Sequence, residues 1–173
     1  ALDVLEERLG RDRWSERPLE LSLAVTLGQK QGDPFARYDE NAYVNRLILT
    51  VDRERRSVML FEPDFHAGSQ VQIMSRDNSL MLASVRDGTA SLVARTADRD
   101  TLLWLYFDCA GRASARSGAE IEEAGVLVAG LPGASPLLGF YSGVEVAPVA
   151  GGPSRSLDWT GVLTSLYRRP AAP

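Results

Sequence analysis

The only cysteine of the chain, Cys109, lies where a run of apolar residues ends and a short glycine-containing loop begins. Arg112 follows three residues later, in the segment LWLYFDCAGR. A thiol becomes a nucleophile when a nearby cation or base lowers its pKa, and a guanidinium can also bind a carboxylate or phosphate. The junction is therefore a candidate catalytic thiol or the rim of a ligand site. A buried, inert cysteine is the alternative, because cysteine is among the most buried residue types.

A cysteine enzyme would need a base, and the sequence offers a poor one. His66 is the only histidine and lies in a predicted turn remote from Cys109 along the chain. One cysteine and one histidine give no metal-ligand spacing, so we expect no metal and no cofactor. The loop also lacks the glycine pattern of a P-loop or of a dinucleotide-binding fingerprint. We expect that the chain is not an enzyme.

A second constellation surrounds Glu145, an isolated acid in the apolar segment GFYSGVEVAP. A carboxylate in such a run needs a partner or contact with solvent. Arg112 is one candidate partner, in a structural pair. In the alternative, Glu145 binds the ammonium group of a ligand and Arg112 binds its carboxylate. Tyr141 or Thr160 would then form a further hydrogen bond with the same ligand. Asp158 precedes Thr160 and either lines the same cleft or caps the entry to the last strand.

A β-α-β unit is predicted to position these residues. Residues 101–108 are apolar on both faces, as in a central strand, residues 117–129 are predicted as a helix, and residues 136–142 as a second strand. The crossover is expected to be right-handed. Ligands tend to bind beyond the carboxyl ends of parallel strands, which is where the loop from Cys109 to Arg112 begins.

The predicted helix 117–129 opens with a capping box, in which Glu120 follows Ser117 by three residues. Its period of 3.6 predicts one buried and one exposed side. The buried stripe is predicted to hold Ile121, Ala124 and Val128, and the solvent side Glu122 and Glu123.

The remaining elements are predicted to be mostly antiparallel. The first part of the chain is predicted to hold a helix at 2–9 ended by Gly10, a strand within 18–28, a loop at 28–42, a hairpin of 43–52 and 57–62 around Arg53 to Arg56, and a strand at 69–75. A helix is predicted from the N-cap Asp77 to about 97, with Met81, Val85 and Leu92 facing inward, and a last strand within 157–169. The terminal PAAP is expected to be disordered. The fold class is α+β, with a mixed, mostly antiparallel sheet, one β-α-β unit and two main helices. Residues 1–173 are expected to form a single domain.

Composition narrows the function classes. The chain has 173 residues, 45% hydrophobic and 24% charged, with a net charge of −4 and no basic stripe, so a nucleic-acid partner is not expected. No apolar run approaches the roughly 20 residues that span a bilayer, so no membrane partner is expected.

A single cysteine fits a reducing, cytoplasmic setting. Because the chain starts within a helical pattern and without methionine, we expect an upstream domain.

Several segments, in order, resemble the C-terminal domain of the FIST family. They are LDVLEERLG, YVNRLILTVD, GSQVQIMSRD, YFDCAGR, PLLGFYSGVEVAP and LDWTGVLTSLYRR, which together cover nearly the whole chain. By this resemblance, the Cys-x-x-Arg pattern of the family corresponds to Cys109 and Arg112, its Gly-Phe to Gly139 and Phe140, its Glu to Glu145 and its Thr to Thr160. The chain departs from the family at Val144, where the family has Gly, and at Leu157 and Asp158, where it has His-Asn.

The resemblance implies a bacterial sensory input domain for intracellular signal transduction that binds a small ligand, such as an amino acid or similar zwitterion. Its implied partners are an upstream N-terminal FIST domain and signalling output domains or proteins. The expected ligand-binding residues are Cys109, Arg112, Tyr141, Glu145 and Thr160. A protein-interaction module without a ligand is the alternative, and a Cys109-dependent enzyme is the third possibility.

Overall fold

The computed structural model of the protein describes residues 1–11, 24–62, 64–133, 135–149 and 151–169. Its elements, in chain order, are α1 (Leu2–Leu9), β1 (Val25–Lys30), a 3₁₀ turn (Glu40–Ala42), β2 (Tyr43–Asp52), β3 (Ser57–Leu60), β4 (Val71–Ser75), α2 (Asn78–Arg95), β5 (Thr101–Cys109), α3 (Ser114–Ser117), α4 (Glu123–Gly130), β6 (Leu137–Ser142), β7 (Glu145–Pro148), β8 (Ser154–Leu157) and β9 (Gly161–Tyr167). Within the described ranges, no helix has both the length and the apolar character needed to cross a membrane.

The chain divides into two compact units. Unit 1 comprises residues 1–76 and 146–158, and unit 2 comprises residues 77–145 and 159–173, so the chain passes between them after Arg76, Glu145 and Asp158. The described strands form sheets of four, three and two strands in which antiparallel pairs dominate. The predicted α+β class is confirmed. That the two units form a single domain stays a prediction.

Unit 1 is built on an antiparallel sheet in the order β3-β2-β1-β4. Leu2 and Leu5 of α1 are buried against Val25, Leu27 and Ile48 of this sheet. This confirms the helix at 2–9, the hairpin of β2 and β3, and the strand at the end of 69–75. The strand predicted within 18–28 is confirmed from Val25 and continues to Lys30, while residues 12–23 and the terminal PAAP lie outside the described residues.

Unit 2 is built on a sheet in the order β6-β5-β9, with β5 in the centre. β6 pairs parallel to β5 and β9 pairs antiparallel to it, so the predicted β-α-β unit is confirmed. Tyr106 of β5, Val85 of α2 and Leu127 of α4 form the core between the sheet and the helices. The helix predicted from Asp77 is also confirmed, because the Asp77 carboxylate caps α2 by accepting from the N–H groups of Ser79 and Leu80.

The predicted helix 117–129 is wrong at its start. Ser117 is the last residue of α3, and Gly118 follows it with a φ of 67°, a left-handed conformation that ends a helix. The Ser117 hydroxyl accepts from Ala119 N–H at 3.2 Å instead of forming a capping box with Glu120. Helix α4 therefore begins only at Glu123.

The later start changes which side of the helix is buried. Glu123 and Leu127 are 2% and 1% exposed, whereas Ile121 and Val128 are each 55% exposed. The prediction that Glu123 faces solvent and that Ile121 and Val128 form the buried stripe is therefore wrong.

The strand predicted at 136–142 is confirmed as β6, but the apolar segment continues after a break as β7, and the segment predicted as the last strand is divided. The segment SPLLGFYSGVEVAP forms β6 and β7, which belong to different sheets. The segment predicted as the last strand holds the end of β8 at Leu157 and then β9 from Gly161. Trp159 lies between them with a φ of 55°, a turn conformation that interrupts a strand.

Two glycines of unit 2 offer a matched test of its packing. A Cβ at Gly88, inside α2, would meet no atom within 4 Å, so Gly88→Ala should raise the free energy of unfolding by about 0.5–1 kcal/mol. A Cβ at Gly139 would lie 2.6 Å from the backbone oxygen of Tyr106, so Gly139→Ala should lower it by about 1–3 kcal/mol. Urea denaturation followed by circular dichroism measures both. Equal effects of the two substitutions would contradict the close approach of β6 to β5.

Candidate functional site

The carboxyl ends of β5 and β6 lie side by side in unit 2. Their parallel register pairs Asp108 with Tyr141 and Cys109 with Ser142, and Ala110 N–H donates to Ser142 O at 2.8 Å. Cys109, Arg112, Tyr141 and Glu145 are placed at this edge because each ends or follows one of the two strands. Thr160 directly precedes β9, the other neighbour of β5. The expectation that the loop after β5 lies at the end of a parallel pair is confirmed.

A tight turn carries Arg112 back toward the strand. Its N–H donates to Cys109 O at 2.8 Å, which closes the turn one residue after Gly111. A Cβ on Gly111 would lie 2.8 Å from Nε1 of Trp159, so a larger residue would displace that indole. Glycine is needed here for close packing.

The Arg112 side chain is 11% exposed and is held by Glu123. Nε donates to Glu123 Oε2 at 3.0 Å, and Nη2 donates to Glu123 Oε1 at 2.6 Å, a bidentate arrangement. Nη1 donates to the backbone oxygen of Trp159 at 3.0 Å. Glu145 was one candidate partner of Arg112 in the sequence analysis. The acid that binds the guanidinium in the structure is Glu123, because the late start of α4 turns it inward.

Tyr106 completes the contacts of Glu123 from the middle of β5. The Tyr106 hydroxyl donates to Glu123 Oε1, and the tyrosine is 5% exposed. Burial and the neighbouring Glu123 raise the pKa of Tyr106 well above its ordinary range. Opposite the ring lies Gly161, where a Cβ would overlap the hydroxyl. Tyr106 is thus a fixed, neutral donor to Glu123.

Asp108 is the least satisfied polar group at this edge. It is 2% exposed, and within the part of the chain that the structure describes neither carboxylate oxygen accepts a well-formed hydrogen bond, although the Cys109 N–H lowers its pKa slightly. Its nearest cation is Arg112, whose Nε lies 3.3 Å from Oδ1. Burial, followed by the charge of Glu123, raises the pKa of Asp108 to about 7, and the charge of Arg112 opposes this rise. Asp108 therefore titrates near neutral pH.

Cys109 is enclosed at the end of β5. It is 3% exposed, and its N–H donates to Thr160 O at 3.2 Å. Burial raises the pKa of its thiol, and the Gly111 N–H offsets the rise only in part. At neutral pH the residue is a thiol, not a thiolate.

Glu145 and Tyr141 extend the polar edge on the β6 side. Glu145 is 2% exposed, and its Oε1 accepts from the Ser142 hydroxyl at 2.6 Å. Ser142, which donates to it, is the register partner of Cys109, so Glu145 lies at the end of β5, where its charge raises the pKa of both Asp108 and Cys109. Tyr141 is 43% exposed and donates to Glu122, and burial with this bond raises the pKa of the phenol.

The structure thus gathers the predicted residues Cys109, Arg112, Tyr141, Glu145 and Thr160 at one end of the sheet of unit 2. Whether they bind a ligand stays a prediction. Asp158, which was considered for the same cleft, belongs to unit 1, where its Oδ2 accepts from Leu47 N–H at 2.9 Å.

Sequence reasoning placed Tyr106 in the core or a pocket wall but missed the roles of Tyr106, Asp108 and Glu123 in this network. A signal for two of them was present, because Trp104, Tyr106 and Asp108 alternate along β5 and must share one face. An acid on the buried face of a central strand requires compensation. Glu123 was missed because its orientation depends on where α4 begins.

A depression of about 400 Å³ lies elsewhere, in unit 1, beside Gly28, Lys30, Tyr43 and Gln72. None of the predicted ligand-binding residues lines it. Among the described residues, no group of three or more His, Cys, Asp or Glu side chains is arranged to hold a metal ion.

Comparison with known proteins gives one family match. The family model described as the FIST C domain matches residues 1–148, most of the chain. The matched range includes Cys109, Arg112, Tyr141 and Glu145 and ends before Thr160. No curated protein and no solved structure matches the chain.

The raised pKa of Asp108 predicts a pH-dependent stability. Its proton is held more tightly in the folded chain than in the unfolded chain, so its stabilising contribution is complete below about pH 4 and is lost as the pH rises through 7. Asp108→Asn, which cannot ionise, should raise the free energy of unfolding by about 1–3 kcal/mol near pH 8 and change it little near pH 4.

Denaturation curves across this pH range measure the effect. Asp87→Asn, at an exposed position on α2, is the matched control and should shift stability by less than about 0.5 kcal/mol at either pH. A D108N variant that is less stable than the parent at alkaline pH would show that Asp108 is stabilised as a carboxylate.

The burial of Cys109 predicts a protected thiol. Iodoacetamide should leave it unmodified in the folded chain at neutral pH and modify it fully in denaturant, as mass spectrometry would record. Rapid modification of the folded chain would instead reveal an accessible thiolate and support a cysteine-dependent activity.

Proposed function

We propose that this chain, which belongs to the FIST C domain family, senses a small ligand that carries an amino group, such as an amino acid. FIST C domains are sensory domains of signal transduction, and this chain is one of them. The proposed site is the edge of unit 2 formed by Cys109, Arg112, Tyr141, Glu145 and Thr160, together with Asp108.

The observation that carries the proposal is the charge around Asp108. Burial raises the pKa of Asp108 most, the charges of Glu123 and Glu145 raise it further, and the charge of Arg112 opposes the rise. The three acids are each 2% exposed. Burying several carboxylates beside one guanidinium is unfavourable, and a ligand ammonium placed between Asp108 and Glu145 would supply the opposite charge.

Arg112 has a different role in this proposal from the one its sequence position suggested. Three of its N–H groups already donate to Glu123 and to the Trp159 backbone oxygen. A guanidinium has five N–H groups, so at most two of them remain for a ligand carboxylate. The amino group would therefore contribute more to recognition than the carboxylate. Tyr141 and Thr160 would form the rim, since both are at least partly exposed.

We propose further that binding changes the contacts of the chain with an upstream N-terminal FIST domain and with signalling output proteins. In this proposal the chain acts in the cytoplasm of a bacterium, without catalysis, cofactor, nucleic acid or membrane. The protected thiol of Cys109 supports a binding role over an enzymatic one.

Calorimetry with alanine, ethylamine and lactate tests the proposal. Alanine and ethylamine carry the amino group and should release or absorb heat, whereas lactate, which has a hydroxyl in its place, should not. Amine affinity should fall as the pH drops through about 7, because Asp108 is then protonated.

Glu145→Gln should weaken amine binding at least tenfold, and Glu120→Gln, at an exposed position, should leave it unchanged. Thermal melts would show that both variants fold. Lactate binding as tightly as alanine, or amine binding that survives the loss of the Glu145 charge, would contradict the assignment of the amino group to this edge.

A further inference from the structure

The two faces of the sheet in unit 2 differ in burial. On the face toward the helices, Trp104, Tyr106 and Asp108 of β5 are 1%, 5% and 2% exposed. On the opposite face, the alternate residues of the same strand are only partly buried, namely Leu103, Leu105 and Phe107. Because β5 is the central strand, strands on both sides already shield these side chains laterally. Their remaining exposure is therefore exposure from above the sheet.

The same apolar face continues onto both neighbouring strands. The register sets Leu138 beside Leu105 and Phe140 beside Phe107, and the rings of Phe107 and Phe140 meet edge to face at 5.1 Å. Leu138 and Phe140 are 59% and 58% exposed. We call this surface the open face; its apolar residues are Leu103, Leu105, Phe107, Leu138, Phe140, Val162 and Leu166.

We propose that the open face binds a second copy of this chain, sheet against sheet, about a twofold axis. Two sheets packed in this way lie about 10 Å apart with their side chains interdigitated. The arrangement is isologous, because each copy presents the same surface to the other.

The size of the open face fits such a dimer. Leu138, Phe140 and Leu166 are about half exposed and the other four residues are partly exposed, which together corresponds to two to three whole side chains. If each had roughly the 150–250 Å² of an aromatic side chain, the apolar surface would be on the order of 300–700 Å². A standard interface buries about 800 Å² from each partner, of which about 56–65% is apolar. The open face therefore supplies about the apolar area that one half of a stable dimer needs.

The edge strands of the open face carry no charge that would keep a second copy away. From first to last residue, neither edge strand, β6 nor β9, contains a charged residue. Charged side chains on edge strands are one of the devices by which natural proteins prevent association of their sheets, and such charges would repel an identical face. Here two identical faces can approach without such repulsion, although the chain has a net charge of −4.

Sedimentation equilibrium of the 173-residue chain over a range of concentrations tests the proposal. The expected result is a reversible monomer–dimer equilibrium that stops at the dimer. Leu138→Lys should weaken dimerisation at least tenfold. Leu166→Lys, at a 46% exposed position on the same face, should also weaken dimerisation at least tenfold. It replaces the first variant if Leu138→Lys folds poorly. Val128→Lys, at a 55% exposed position on α4, is the matched control and should leave the equilibrium unchanged.

Four results would overturn the proposal. One is a monomer at every concentration, and another is a dimer that persists in folded L138K and L166K variants. The third is a longer polypeptide containing this chain that stays monomeric while the isolated chain dimerises, since the open face would then be covered by the rest of that polypeptide. Association without a limiting mass would indicate nonspecific aggregation and would also contradict a twofold dimer.

Discussion

The guanidinium of Arg112 connects three segments of unit 2 that are far apart in the chain. It lies near Asp108 at the end of β5, binds Glu123 at the start of α4, and donates to the backbone oxygen of Trp159 before β9. Removing one member of a buried ion pair leaves the other charged and uncompensated, which typically costs about 3–5 kcal/mol. The positions of the strand end, the helix start and the turn before β9 are therefore coupled through one side chain.

The same network limits what the edge can recognise. Glu123 is fully engaged, because it accepts from both Arg112 and the Tyr106 hydroxyl. Asp108 lies beside it, 2% exposed, with Arg112 Nε at 3.3 Å from Oδ1 and with the charges of Glu123 and Glu145 nearby, and it gains a proton near neutral pH. The electrostatic field at this edge thus favours a cation over an anion. From the sequence alone, Arg112 had instead suggested that this edge binds the carboxylate or phosphate of a ligand.

Local patterns in the sequence predicted most elements correctly. The N-cap at Asp77, the apolar run at 101–108 and the charged turn between β2 and β3 each identify an element from neighbouring residues. The β-α-β unit followed from two such runs separated by a helical segment. The family resemblance, which rests on ordered segments along the chain, is supported by the family match.

Features that depend on a single backbone conformation or on distant contacts were not predictable in this way. Ser117 and Glu120 have the spacing of a capping box, but Gly118 adopts a left-handed conformation that the spacing does not reveal. That one residue determines where α4 starts and therefore which acid faces Arg112. The division of the last predicted strand likewise depends on the positive φ of Trp159, an uncommon conformation for a side chain of that size.

The chain changes from one unit to the other three times, so a fragment that ends within it can leave a unit incomplete. The family match ends at residue 148, yet β9, which pairs with β5, and Asp158, which accepts from Leu47 N–H, both follow that position. A piece cut at the end of the match would leave one edge of the central strand unpaired and one backbone donor without its carboxylate. Each unit is formed by two separate stretches of the sequence. Recombination that exchanges this domain must therefore transfer both stretches of each unit together.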